Sequence, residues 1–159
     1  MKRIVLALTL WSMMAVGAYA QEVYQEIMRL SRQIAEDESK SIELRKIATF
    51  KVDELEYMAM KTRELMPDSA ASVLDYQAYA MYDFINLYSN KLARAEKDKE
   101  RSRIMSMFKE ASLSNPRFND KDTDLILSYV DNNQYITQFS LDTDWVKAIT
   151  EVRRKIQGK

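Results

Sequence analysis

Two glycines and two prolines in 159 residues are too few to supply the turns of a many-stranded sheet. Each tight reversal between strands draws on glycine, asparagine or proline chemistry. A chain this poor in them folds into long helices with few connections. Hydrophobic residues make up 47% of the chain and charged residues 30%, enough apolar surface for one packed core. The expected class is all-α: a single-domain helical bundle of about five helices with a long central helix.

The apolar spacing places the helices. Val23, Ile27, Leu30 and Ile34 recur every three or four residues, one face of an amphipathic helix over about Glu22 to Glu36. A second helix covers about Ser41 to Met66. Leu44, Ile47, Ala48, Val52, Leu55 and Met58 share a broad face that Lys51 interrupts, and Phe50, Tyr57 and Met60 form a second side. Asp53 and Glu56 have the spacing of a capping box, so a break near Phe50 to Asp53 is possible. Pro67 ends this helix, because proline disfavours helical geometry in the residue before it.

Asp68 or Ser69 suits the start of a third helix. From Val73 to Leu92 apolar residues nearly encircle the axis, the mark of a helix at the centre of a bundle. Period-2 alternation is absent, which argues against a strand. The mixed-charge run Arg94 to Arg103 reads as a solvated continuation of this helix, and Ile104, Met107, Phe108 and Ala111 restore an apolar face before Ser114-Asn115-Pro116. Asp120 is expected to cap a fourth helix to about Asn132, burying Leu125, Ile126, Tyr129 and Val130. Tyr135 to Leu141 lacks helical spacing and reads as an extended connector. Asp142 or Thr143 then caps a last helix with Trp145, Val146, Ile149, Val152 and Ile156 inside.

The N-terminus carries an address. Lys2 and Arg3 precede an apolar stretch, and Ala18-Tyr19-Ala20 places small residues where signal peptidase cuts. The stretch from Ile4 to Ala20 is 17 residues, short of the roughly 20 a membrane span requires. Residues 1–20 are therefore assigned as a secretory signal peptide, and 21–159 as one helical domain without a span. The expected location is secreted or periplasmic, with cleavage before Gln21. Removing Lys2 and Arg3 leaves 22 basic against 24 acidic groups. Such a balance gives no electrostatic reason to bind nucleic acid.

Much chemistry is excluded by residue type. With no His and no Cys there is no Ser-His-Asp triad, thiol nucleophile, Cys/His zinc site or disulfide. Gly17 and Gly158 are the only glycines, so no glycine loop cradles a phosphate. Asp120, Asp122, Asp124 and Asp131 imitate a calcium loop, but its sixth position is Leu125 where a sharp turn needs glycine. Helix capping explains the same aspartates. No metal site and no cofactor are expected.

One polar arc remains. Asp75, Tyr79, Asp83, Asn86 and Asn90 fall within about 80° of one another on helix three, at 100° per residue. If covered, the two carboxylates must find partners, because an unpaired buried charge is very costly. If open, the arc is a polar surface ringed by aromatics and a candidate binding site.

The signal segment ending in Ala20 before Gln21, the run YQAYAMYDFINLY and the run NNQYITQFSLDTDWVKAI resemble small secreted all-helical proteins of Bacteroidota. The resemblance implies a Gram-negative envelope location and assigns no site residues. The functional expectation is a non-enzymatic module that binds another protein or an envelope component. Two alternatives are a carboxylate-dependent hydrolase acting on glycans, which needs a pocket with convergent carboxylates, and a periplasmic chaperone-like protein, which needs an exposed apolar cradle or arm.

Overall fold

A computed structural model describes residues 22–69, 71–130, 132 and 134–158; the signal peptide assigned above lies outside them. Among the described residues there are six helices and no strand. In chain order they are α1 (Glu22–Glu36), α2 (Ile42–Leu65), α3 (Ala71–Arg94), α4 (Asp98–Leu113), α5 (Thr123–Ile126) and α6 (Trp145–Ile156).

The bounds of α1 follow its apolar spacing, but its buried side is turned. Ile27, Met28 and Ser31 are buried, while Val23, Leu30 and Ile34 lie at the exposed margin. The rotation has a visible cause. Helix α1 packs against both α2 and α3, and the carboxylate of Asp75 on α3 accepts the backbone N–H of Tyr24 at 2.9 Å. That bond satisfies one of the free donors of the first turn and holds the Tyr24–Met28–Ser31 side inward.

Helix α2 starts at Ser41, whose hydroxyl accepts the N–H of Leu44 at 3.3 Å. It runs unbroken past Asp53 and stops before Pro67. Lys51 is half-buried, and its ammonium lies 4.9 Å from the centre of the Tyr82 ring. Helix α3 packs on α1, α2, α4 and α6. Its Phe84 meets Phe108, Phe139 and Trp145 edge to face, with ring centres 5.0 to 5.2 Å apart. Such edge contacts add to what burial alone contributes.

Three expectations are corrected. The charged run does not prolong α3: the chain breaks over residues 95–97 and α4 begins at Asp98. Ala95 is buried there, and the carbonyl of Leu92 takes both the N–H of Ala95 and the guanidinium of Arg101. One expected helix thus becomes two.

The fourth expected helix shrinks to the single turn α5, capped by Asp122 rather than Asp120. Asp120 is engaged elsewhere, and Asn119 before it takes a left-handed backbone (φ 52°) that turns the chain. Asparagine tolerates that region better than most residues. Tyr129 and Val130 are buried as expected, but Leu125 is exposed.

Helix α6 is capped by Asp144, which accepts the N–H of Lys147. Trp145, Ile149 and Val152 are inside, whereas Val146 and Ile156 are exposed. Asp142 is not the cap because its carboxylate gathers the N–H groups of Arg117, Phe118 and Asp120 at 2.7 to 3.0 Å.

Candidate functional site

Asp53, Glu56, Tyr57 and Met60 stand at i, i+3, i+4 and i+7 on α2 and so share one face. The chain from α5 to Leu141 runs across that face and leaves a groove between them. Leu125, Ser128, Tyr129, Asn132, Tyr135 and Leu141 form its other wall, and its volume is about 510 Å³. The irregular wall is anchored to α2 from both ends. The hydroxyl of Tyr129 donates to Asp53, and the ammonium of Lys46 donates to the carbonyl of Gln134 at 2.8 Å.

Tyr57 and Tyr129 are buried and make the floor. The Tyr57 hydroxyl donates to Asp120 at 2.9 Å, and Lys61 pairs with the same carboxylate at 2.9 Å. The bond from Lys61 is the main reason that the Asp120 carboxyl is drawn down to about 2. Burial, then the bond to a carboxylate, pushes both phenols above their usual range. They remain neutral hydroxyl donors at any physiological pH. Tyr135 leans on Tyr129 with ring centres 4.5 Å apart, and Phe50 meets Tyr129 edge-on at 5.1 Å. The aromatic wall is therefore fixed before any ligand arrives.

The two groove carboxylates differ. Glu56, at the rim, pairs with Arg32 at 2.6 Å. Asp53 is half-buried and, among the described residues, forms no ion pair with a lysine or arginine; its observed partner is the Tyr129 hydroxyl.

On the inner side of α2 lies Glu54, completely buried. One oxygen accepts the Trp145 indole N–H at 2.7 Å; the other has no partner among the described residues. Burial raises its pKa well above the usual carboxylate range, with the nearby Asp142 charge adding to the rise, so the neutral acid is favoured. Gln77 of α3 clamps the start of α6, donating to Asp144 at 3.0 Å and accepting the N–H of Trp145 at 2.8 Å.

The polar arc on α3 lies outside this groove. Asp75 holds the first turn of α1, and Asp83 pairs with Arg153 of α6. Tyr79 and Asn90 are exposed and Asn86 is half-buried. The five residues share one face of α3, and its two carboxylates tie that helix to its neighbours. In the calcium-like stretch, Asp120 is held by Lys61 and Tyr57 and Asp122 caps α5; Asp131 lies outside the described residues. Among the described residues no cluster of acidic groups has the arrangement of a metal site. The groove escapes a reading of the sequence because its walls are some 70 positions apart. Its one trace is the second side of α2 at Tyr57 and Met60.

No family model matches the chain, and neither does a curated protein or a solved structure. The geometry alone indicates what the site can do. A pair of hydrolytic carboxylates must flank the bond it attacks, with one acid kept protonated by its surroundings. Asp53 and Glu56 stand one turn apart on the same wall. The carboxyl that burial keeps neutral is Glu54, enclosed behind Trp145 where a substrate does not reach. Apolar walls with a few placed polar groups are the usual make-up of a ligand cleft.

Proposed function

We propose that this chain is a secreted or periplasmic, non-enzymatic interaction module that seats part of a partner protein or envelope component in the α2–α5 groove. The observation that carries the reading is the groove itself. It is concave, lined by Met60, Leu125, Leu141 and tyrosines, and carries the carboxylates of Asp53 and Glu56 on its α2 wall. Met60 and Leu125 are 48% and 39% exposed, apolar surface that a partner would cover. Of the lining tyrosines, Tyr135 is half-buried and leaves part of its ring for a partner, and tyrosine supplies such area at little entropic cost. The envelope location rests on the sequence: the signal-like N-terminus and the resemblance to small secreted helical proteins of Bacteroidota. No helix among the described residues is long and apolar enough to cross a membrane. The helices pack as a bundle around α3, and the groove lies on its α2 side.

A photo-crosslinking amino acid placed at Leu125 in exporting cells should yield a discrete adduct. The same group at the exposed Arg103 of α4 should not. Identical products from the two positions would overturn the groove as the contact surface. N-terminal sequencing of the exported chain should begin at Gln21; an intact Met1 would refute export by cleavage.

A further inference from the structure

Resting on the groove reading, we propose that the occupant is a protein segment that inserts a lysine or arginine side chain, its stem along Met60 and Leu125 and its cation on Asp53. Two observations and one rule of electrostatics lead there. Asp53 is a half-buried charged acceptor whose observed partner is a neutral phenol. A carboxylate withdrawn from water gains most from an opposite charge. No lysine or arginine is among the groove-lining residues.

Three cations bonded to the groove's walls or rim have partners of their own. Arg32 is on Glu56, Lys61 on Asp120 and Glu64, and Lys46 on the carbonyl of Gln134. Among the described residues, Asp53 thus has no counter-ion of its own, unlike Glu56.

The shape of the lining then selects the ligand. Lysine and arginine carry a long apolar stem and a charged tip, and they bury the stem where the tip can stay paired. The lining offers those surfaces together: the exposed side chains of Met60 and Leu125, the half-buried ring of Tyr135 and the half-buried carboxylate of Asp53. A cation near an aromatic face gains further attraction. An anionic segment would meet Asp53, which has no cation beside it among the described residues, and be repelled. A glycan would want broad exposed ring faces, and Tyr57 and Tyr129 are nearly covered, at 4% and 6% exposure.

The test titrates the full chain with three blocked pentapeptides while the Met60 methyl resonance is followed by NMR. One is Ala-Leu-Lys-Leu-Ala; the others carry norleucine or glutamate in place of the lysine. The lysine peptide should shift Met60 saturably and bind about tenfold more tightly than the norleucine peptide. Added salt should narrow that gap. Asp53→Asn, which keeps an acceptor for the Tyr129 hydroxyl, should erase it. If that variant loses the fold, Glu56→Gln serves instead: it frees Arg32 at the rim and should cut the lysine advantage about two- to threefold through charge repulsion. Equal affinity for the lysine and norleucine peptides at Met60 would overturn the cation while leaving the groove reading in place. Binding of the glutamate peptide as tight as that of lysine would do the same. No saturable Met60 shift with any peptide would overturn both.

Discussion

The two sides of α2 use the same side chains to opposite ends. Asp53 and Glu54 are neighbours in sequence, yet one lines an open groove and the other is sealed behind Trp145. On the sealed side the polar groups are closely cross-bonded. Asp142 takes three backbone N–H groups, Gln77 clamps Asp144 and Trp145, and Ser112 shares its hydroxyl with Thr143 at 2.8 Å while accepting the N–H of Ser140. On the open side the floor is bonded, but Met60, Leu125 and the rim face outward. A buried network fixes one conformation because every unmade bond is costly. A groove with exposed apolar walls contributes little to stability and keeps that surface for a partner. The comparison therefore separates what holds the fold from what is free to act.

The sharpest test removes the hub of the sealed side. Asp142→Ala strands three backbone donors at once and should cost about 3–4 kcal/mol by urea denaturation, since bonds to a charged acceptor are the strong ones. Asp142→Asn keeps one acceptor oxygen and should recover part of the loss. A cost below about 0.5 kcal/mol, the scale of an ordinary surface change, would show that the loop preceding α6 is held by packing alone. Next in size is Trp145→Phe. It keeps most of the ring burial but leaves Glu54 without its donor, and should cost about 1–3 kcal/mol.

A third test uses pH. The carboxyl of Glu54 has a pKa raised above its unfolded value, so its contribution is complete below about pH 4.3 and is lost as pH rises through the folded-state value. Asp120 and Glu151 act in the opposite sense. The bonds from Lys61 and from Lys155 lower them, so their contributions are complete once pH exceeds the ordinary carboxylate range. Between about pH 5 and pH 8, below the range of the tyrosines and lysines, the loss therefore isolates Glu54 among these groups. The parent chain should lose stability as pH rises there, and Glu54→Gln, which mimics the neutral acid, should not. Parallel curves for the two proteins would mean that Glu54 ionises without penalty.

Much of the helical framework is legible in the sequence because it depends on local spacing. Ser41 and Pro67 bracket α2, and the apolar run from Val73 to Leu92 lies within α3, which packs on α1, α2, α4 and α6. The misreadings fall where a distant partner outcompetes a local cap. Asp120 looks like a helix cap until Tyr57 and Lys61 claim it from 63 and 59 positions away. Asp142 is diverted in the same way by the amides of residues 117, 118 and 120. The break after Arg94 follows from burial of Ala95, which charge pattern does not reveal. The groove was beyond reach for a related reason: one wall is a helix face, but the other is irregular chain whose path no periodicity records.

The smallest expected effect on stability is the one that decides the comparison. Met60 of α2 and Leu125 of α5 both line the groove and are both substantially exposed. Replacing both with serine removes apolar surface of which nearly half already meets water. The folded state loses little burial, and the double variant should stay within about 0.5 kcal/mol of the parent. Crosslinking from a neighbouring groove position such as Ser128 should nevertheless fall sharply, because the stem of a bound residue would lose both its walls. The two readouts move apart only if the open side is kept for a partner. A loss above about 1.5 kcal/mol would place these side chains within the cooperative core and erase the distinction between the two faces of α2. An unchanged stability with unchanged crosslinking would leave the distinction intact but move the contact surface elsewhere, and the arc of Tyr79, Asp83 and Asn90 on α3 would then be the next face to vary.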